Sequence, residues 1–378
     1  MFKLFGSGKN YSIGVDFGTS AIKIVELSFK NQKTYLENYG WVDLGLASAS
    51  SVMKPIAMEA KSSYDKKLQK YLQKLIKSMR LKSRGAYISL PGSSGLVILI
   101  NFPAMSDEEL EEAVKFEAKK YIPNSLDEVA IDWEIVGEKE SFEKQGEISS
   151  NENSEKIGSI AKEKEILLVA APKKEVIRCG NIVKDSGLNV KNVELEIFSL
   201  VRATTGNDSG CFLIVDIGSQ MTNIVLVERG VIKVNRNIEG GGNEVTRSIA
   251  ESLNISKQRA EELKKENKDL LNSREMSLVI PVLDMIANES LRIVNAYRAK
   301  RGENSRIDSV ILSGGSSKLK GIEQYFSQKI GIQTRTGNPW SKVICDEKID
   351  PFVEKMGTSF SVALGLAFRG IEEIKNKK

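Results

Sequence analysis

The sequence predicts an α/β chain of two lobes, each organised around a strand, a tight turn and a second strand. Three stretches carry that prediction. Gly14-Val15-Asp16-Phe17-Gly18-Thr19-Ser20-Ala21-Ile22-Lys23 leads into the apolar Ile24-Val25-Glu26-Leu27. The pattern returns 200 positions later. Ile214-Val215-Asp216-Ile217-Gly218-Ser219-Gln220-Met221-Thr222-Asn223 leads into Ile224-Val225-Leu226-Val227. A third glycine cluster, Val310-Ile311-Leu312-Ser313-Gly314-Gly315-Ser316-Ser317, closes another apolar strand.

The two hairpins suit phosphate chemistry. Glycine at the bend lets the backbone approach an anion, and successive N–H groups there form a concave anion site. Ser20 and Thr222 add hydroxyl donors. Asp16 and Asp216 repel phosphate, so their natural task is Mg²⁺, which needs few carboxylates and keeps several waters. Lys23 is either a point charge for phosphate or a solvated strand residue. One such hairpin alone reads as an ordinary turn. Two in the same strand context form an internal repeat and suggest lobes of similar topology. The Gly314-Gly315 turn precedes a helix predicted from Lys318 to Lys329, and its bare backbone can lie against a nucleoside. Gly240-Gly241-Gly242 opens a helix from Glu244 to Leu253. Its N–H groups can meet phosphate, although alone it reads as a helix cap.

The remaining elements follow in order. Tyr35 to Leu44 is a strand. Lys66 to Arg80 is a helix with Leu68, Tyr71, Leu72, Leu75, Ile76 and Met79 on one face. Gly85 to about Pro172 reads as a small separate domain. It holds strands at 86–90 and 96–102, a helix from Asp107 to Tyr121, and strands at 130–136 and 166–171. Ser106 with Glu109 is a capping box, and Ile122-Pro123 ends the helix. Glu138 to Glu165 is polar and poor in apolar residues, which predicts a mobile loop. Lys174 to Ser186 returns as a helix. Beyond Gly210 come the second hairpin and helices near 244–253, 257–267 and 277–301. A last helix covers 363–371.

Composition narrows the function. The chain of 378 residues carries net charge +5, with 28% charged and 41% hydrophobic residues, as soluble globular proteins do. Lysines are scattered among glutamates, so no nucleic-acid stripe is present. Histidine is absent, which excludes histidine triads and a histidine base. Cys179, Cys211 and Cys345 have no zinc or disulfide spacing. Carboxylates, hydroxyls and Mg²⁺ remain, the toolkit of a phosphoryl site. No apolar run reaches the roughly 20 residues of a membrane helix. The N-terminus is too short for a signal peptide, and a cytoplasmic location is expected.

Together these motifs resemble the actin, sugar-kinase and heat-shock-chaperone ATPase superfamily. The order matches: first phosphate motif, connecting helix (Glu194 to Ala203), second phosphate motif, adenosine motif, final helix (Met356 to Ala367). Within it the chain is similar to the PilM family of type IV pilus assembly, relatives of the division protein FtsA. Tyr11 to Leu27, Phe102-Pro103-Ala104-Met105 through Ile122-Pro123, and Gly241-Gly242-Asn243-Glu244 through Ala250 carry the match.

The resemblance implies an actin-like (ribonuclease H-like) two-lobed ATPase fold with an inserted strand-helix-strand-strand subdomain. It divides the chain into 1–84, 173–209 and 346–378 for the first lobe, 210–345 for the second, and 85–172 for the insert with its loop at 138–165. It implies ATP and Mg²⁺ as cofactors, with Asp16 and Asp216 flanking the metal. Gly18, Thr19, Ser20, Lys23, Gly218, Ser219, Thr222, Gly241 and Gly242 would meet phosphates. Gly314, Gly315 and Ser316 would back adenine and ribose, and Glu261 and Lys264 would touch the nucleoside. Glu196 would orient the attacking water, against an even alternative as a solvated or salt-bridged helix residue. ATP binding with weak or no hydrolysis is implied.

The implied role is a scaffold of the pilus or a related secretion platform at the inner face of the cytoplasmic membrane. Its partner would be the N-terminal peptide of a PilN-type bitopic membrane protein, held between the first lobe and the small domain. Phe102, Pro103, Glu117, Tyr121 and Pro123 are the candidate contacts. Pilus motor ATPases and self-association are further partners left open. The rival readings are a small-molecule kinase of the superfamily and an FtsA-like filament protein. The tail Ile371-Glu372-Glu373-Ile374-Lys375 is short for the membrane helix of the latter.

Overall fold

A computed structural model describes residues 10–45, 58–122, 125–142, 160–266, 268–272, 278–302, 305–347, 353 and 356–377. The chain forms two compact units, Met1–Ser93 with Glu175–Lys378, and Ser94–Lys174.

The larger unit contains two sheets of the same design. In the first, β1 (Tyr11–Phe17), β2 (Ala21–Lys30) and β3 (Lys33–Asp43) form an antiparallel meander. β4 (Gly85–Leu90) and β8 (Asn189–Leu195) join it in parallel, in the order β3-β2-β1-β4-β8. In the second sheet β9 (Cys211–Ile217), β10 (Met221–Glu228) and β11 (Val231–Glu239) repeat the meander. β12 (Ser309–Ser313) and β13 (Thr334–Thr336) repeat the parallel pair. The outer turns match as well. Asn31 and Gln32 join β2 to β3 with φ of 50° and 60°, and Arg229 and Gly230 join β10 to β11 with 53° and 78°. Two consecutive positive φ values make the tight turn whose twist suits a hairpin. Both meanders also shift register at equivalent places, Glu26/Leu27 and Leu226/Val227.

The first sheet packs on α1 (Met58–Met79), α3 (Lys173–Asp185), α4 (Glu196–Thr204) and α9 (Ser361–Asn376). α9 lies very close to its neighbours. A Cβ on Gly14 would overlap the Ala363 carbonyl, and one on Gly365 would overlap the Ser199 carbonyl. Gly14, the first residue of the first signature, is thus a packing glycine. The second sheet packs on α5 (Gly242–Leu253), α6 (Lys257–Lys265), α7 (Pro281–Arg301) and α8 (Ile322–Ile330). Leu213, Val215, Ile224, Val245, Ile249, Leu283, Ile286 and Phe326 form the heart of that core.

The smaller unit runs β5 (Leu96–Pro103), α2 (Asp107–Ala118), β6 (Val129–Phe142) and β7 (Ile160–Pro172), with antiparallel order β5-β7-β6. This is the strand-helix-strand-strand order expected. Ser106 caps α2 with the expected reciprocal bonds, Glu109 N to Ser106 Oγ and Ser106 N to Glu109 Oε2. Leu110, Val114 and Ala118 pack against Ile100, Phe102, Ile166 and Leu168.

Four details differ from the sequence reading. The strand at 85–90 belongs to the first sheet, so the small unit starts at Ser94. The ladder of β6 and β7 continues through 138–142 and 160–165, where a loop was expected. Opposite charges face one another there, as with Glu138 across from Lys164, which favours pairing. Glu194 and Leu195 end β8, and the helix begins only at Glu196. The helix expected from Lys318 is broken at Gly321, whose φ is +85°, so a short turn at Gly315–Lys318 precedes α8. Residues 143–159 of the expected loop lie outside the described residues. Among the described residues no helix is long and apolar enough to cross a membrane.

Candidate functional site

Both aspartates sit where a strand gives way to its turn. Gly18, Thr19 and Ser20 separate β1 from β2, and Gly218, Ser219 and Gln220 separate β9 from β10. A Cβ on Gly18 would come 3.0 Å from the Ala21 carbonyl, and one on Gly218 2.7 Å from the Met221 carbonyl. Each glycine is demanded by its own turn. The hairpin register places Lys23 opposite Asp16 and Asn223 opposite Asp216. Lys23 Nζ lies 3.4 Å from Asp16 Oδ2. The next strand adds a serine in each sheet: Ser89 Oγ is 3.5 Å from Asp16 Oδ1, and Ser313 stands opposite Asp216. The two lobes therefore present equivalent polar rows, Lys23–Asp16–Ser89 and Asn223–Asp216–Ser313.

The turns meet. Thr19 Oγ1 and Ser219 Oγ are 2.6 Å apart. Asp16 is buried and Asp216 half-buried. Burial raises the Asp216 carboxyl to about 6; Ser313 and Lys23 oppose that, and Asp16 adds to it.

Glu196 stands at the start of α4, facing the same region. Its Oε1 accepts from Gly92 N at 2.8 Å and from Asn223 Nδ2 at 2.9 Å. Burial, reinforced by Asp16 and Asp216, raises its carboxyl to about 7 against those two donors. Glu196 is half-buried, and among the described residues it makes no salt bridge.

In the second lobe the glycine-rich turn closes on the second hairpin. Gly242 N donates to the Gly218 carbonyl at 2.8 Å, and Asn243 N to that of Ser219 at 2.9 Å. These first amides of α5 are therefore committed to the turn and are not open to phosphate. A Cβ on Gly241 would overlap the Gly218 carbonyl. One on Gly242 would come 2.6 Å from Ser316 Oγ and 3.3 Å from Lys264 Nζ, so Gly218, Ser316 and Lys264 converge there. Lys264 donates to the Gly242 carbonyl at 3.0 Å and pairs with Glu261 at 2.7 Å. Burial lowers the Lys264 ammonium. Burial would also raise the Glu261 carboxyl, but Lys264 and Thr246 outweigh it and hold it low.

Gly314 has φ of +82°, and a Cβ there would overlap the Ile217 carbonyl. The third glycine turn therefore lies flat on the end of β9. Gly315 is exposed and Ser316 buried. Thr358 Oγ1 donates to the Gly314 carbonyl at 2.8 Å and ties this turn to the start of the final helix. Lys318 is exposed overall but faces Lys23, and partial desolvation first, Lys23 second, lower its ammonium to about 8.

Most of the expected residues thus converge. The Thr222 hydroxyl is placed otherwise: it is buried and donates to the Gly240 carbonyl at 2.8 Å, so it braces the turn. Ser20 is exposed in the first turn, and its carbonyl accepts from Leu44 N at 2.8 Å. Asn223, Ser89, Ser313 and Lys318 were not singled out in the sequence. Asn223 had a signal: it stands seven positions after Asp216, as Lys23 does after Asp16.

The residues suit Mg²⁺ carried in by a phosphate ligand. Asp16 and Asp216 offer two carboxylates, and the cost of ionising Asp216 beside Asp16 is what a cation relieves. Among the described residues no three acidic or cysteine side chains are placed to hold a metal alone. Mg²⁺ typically takes one or two carboxylates and completes its shell with phosphates and water.

In the small unit, Phe102 is core, while Pro103 is exposed and Tyr121 is 46% exposed. Glu117 pairs with Lys120 at 2.7 Å. Pro123 lies outside the described residues.

Comparison with known proteins agrees with this architecture. The model of the family described as type IV pilus assembly protein PilM matches residues 14–371. The cell division protein FtsA of Borreliella burgdorferi is 25% identical over 408 residues, 98% of this chain and 93% of that protein. FtsA of Pseudomonas aeruginosa is 26% identical over 216 residues, 50% of each. Among solved structures, a PilM-PilN type IV pilus biogenesis complex is similar at TM-score 0.73 and 24% identity, covering 95% of this chain and 98% of that one. The ethanolamine utilization protein EutJ from Carboxydothermus hydrogenoformans is similar at TM-score 0.50 and 16% identity, covering 94% and 89%. The fold is actin-like.

Proposed function

This chain belongs to the PilM family of type IV pilus assembly proteins, and we propose that it is a nucleotide-binding scaffold of the inner-membrane assembly platform. The observation that carries the reading is the pair of opposed aspartate-tipped turns, backed by the flat glycine turn at Gly314. ATP would lie with its phosphates between the Gly18–Ser20 and Gly218–Gln220 turns, and Lys23 and Lys318 would balance their charge. Gly314, Gly315 and Ser316 would support the nucleoside, with Glu261 and Lys264 beside it. Asp16 and Asp216 would hold Mg²⁺, which neutralises phosphate charge when bound.

Glu196 would orient the attacking water. Its Oε1 is already engaged by two donors, and its carboxyl, raised to about 7, is only partly ionised near neutrality. Both features fit a binder that turns over slowly.

The proposed partner is the N-terminal peptide of a PilN-type membrane protein. The support is the related PilM-PilN complex. An extended peptide would bind through backbone hydrogen bonds, with pockets for alternate side chains. Pro103 and Tyr121 are surface positions available for it. Recruitment by such a partner would place the chain at the inner face of the membrane.

The likeness to FtsA over nearly the whole chain favours a second reading, an actin-like filament protein. Calorimetric titration with ATP·Mg²⁺ and with a PilN-type N-terminal peptide, each with and without the other, separates the two. Binding of both supports the scaffold. ATP binding without peptide binding, together with ATP-dependent sedimentation, moves the reading to a filament. Absence of ATP binding removes both.

A further inference from the structure

We propose that Gly92 is the point at which the nucleotide site controls residues 94–174. The inference rests on reading the cleft as a nucleotide site, and it concerns how that site is coupled to the smaller unit.

The observation is a mismatch between where Gly92 belongs in the chain and what holds it. Gly92 follows β4, a strand of the first sheet, and lies two residues before the smaller unit begins at Ser94. Its carbonyl is nevertheless tied directly to the second lobe, and its N–H is linked to it through Glu196 of the first. Its N–H donates to Glu196 Oε1 at 2.8 Å, and the same oxygen accepts from Asn223 Nδ2 on β10 at 2.9 Å. Its carbonyl accepts from Asn237 Nδ2 on β11 at 3.2 Å. Among the described residues Asn237 Oδ1 is buried without a hydrogen-bond partner, so the bond to Gly92 is what orients the amide. A side chain here would push both amides aside: a Cβ would come 2.8 Å from Asn223 Oδ1 and 3.1 Å from Asn237 Oδ1.

The phosphate turns explain why this matters. Thr19 of the first lobe bonds directly to Ser219 of the second. Phosphates entering between the turns must part that contact and reset the two hairpins. Asn223 lies on the strand that leaves the second turn, and Asn237 stands opposite it on the next strand. A shift of the second hairpin is therefore a shift of the groups that hold Gly92. The backbone leading into residues 94–174 then moves with the second lobe, although its strand lies in the sheet of the first. Such a two-state element, biased by ligand at one end, is what coupling between sites requires.

The test is hydrogen–deuterium exchange of the full chain with and without ATP·Mg²⁺, with ATP affinity measured separately by calorimetry. In the wild-type chain, ATP·Mg²⁺ is expected to change exchange in β5–β7 by about fivefold or more, the lower end of the usual span of coupling strengths. Asn237→Ala removes the bond to the Gly92 carbonyl without touching the phosphate turns. It should abolish that response while ATP affinity stays within about threefold. Gly92→Ala, which crowds both asparagines, should abolish the response as well. ATP binding with no response in residues 94–174 of the wild-type chain overturns the proposal, as does a response that survives both variants. No ATP binding at all overturns the nucleotide reading and this inference with it.

Discussion

Thr19 Oγ1 and Ser219 Oγ lie 2.6 Å apart although 200 positions separate them in the chain. They occupy equivalent places in the two turns, and their bond closes the gap an anion would enter. A neutral hydrogen bond of this kind contributes about 0.5–1.5 kcal/mol. Thr19→Ala and Ser219→Ala should each destabilise the ligand-free chain, and their effects should be non-additive by about 1 kcal/mol in urea unfolding. Saturation with ATP·Mg²⁺ should erase that coupling, because each hydroxyl then turns to phosphate. Additive effects without ligand would show that the contact carries no energy.

Asp16 and Asp216 give a second prediction. Both end a strand at the turn, but they are held differently: Asp16 beside Lys23, Asp216 beside Ser313 and Asn223. If they share Mg²⁺, Asp16→Ala and Asp216→Ala should each abolish the Mg²⁺-dependent part of ATP affinity. Titrations in Mg²⁺ and in EDTA measure that part directly. Unchanged affinity in both variants refutes the metal assignment.

The raised carboxyls predict a pH dependence with a definite sign. Asp216 stands at about 6 and Glu196 at about 7 in the folded chain, against ordinary carboxylate values near 4. The unfolded chain ionises these groups first, so they favour folding at low pH and lose that contribution as pH rises from about 4 to 7. In the ligand-free chain, Glu196→Gln should therefore be stabilising at pH 8, by about 2–4 °C in Tm per kcal/mol regained, and nearly neutral at pH 5. ATP·Mg²⁺ should protect more at pH 8 than at pH 5, since a cation favours the ionised form of Asp216. A Glu196→Gln effect that is the same at both pH values contradicts the assignment.

Much of this site could be read from the chain, because its residues are local. Asp16 and Gly18, and Asp216 and Gly218, sit within single turns, and the offset of 200 marks them as equivalent. What could not be read depends on pairing at a distance. The Thr222 hydroxyl looked like a phosphate donor because the Gly240 carbonyl that takes it comes 18 residues later. The amides of Gly242 and Asn243 looked open because their acceptors, Gly218 and Ser219, lie in another turn. β4 was grouped with the small unit by contiguity, yet its neighbour β8 lies beyond that whole unit, and parallel pairing leaves no local mark. The even choice for Glu196 was open for the same reason: its donors come from Gly92 and Asn223.

Glu194 supplies the last prediction, on stability rather than binding. It is 8% exposed at the end of β8. It takes two bonds from Arg202, at 2.7 and 3.1 Å, one from Arg369 at 2.9 Å, and one from the Ser199 hydroxyl. Burial would raise its carboxyl, but Arg202, Ser199 and Arg369 outweigh it and hold it below the usual range. The group therefore stabilises the fold above its unfolded pKa, and that contribution is lost as pH falls, opposite in sign to Glu196. Arg202 also donates to the Gly365 carbonyl at 2.9 Å, at the point where α9 crosses α4. Glu194→Gln leaves the mostly buried Arg202 with only the half-exposed Glu372, at 3.4 Å, as a carboxylate partner, a loss that costs up to about 3–5 kcal/mol. Arg369 is more exposed, so Arg369→Gln should cost far less. Urea unfolding of both variants at pH 7.5 checks the order. If Glu194→Gln costs no more than Arg369→Gln, the Glu194–Arg202 pair does not hold the two helices to the sheet.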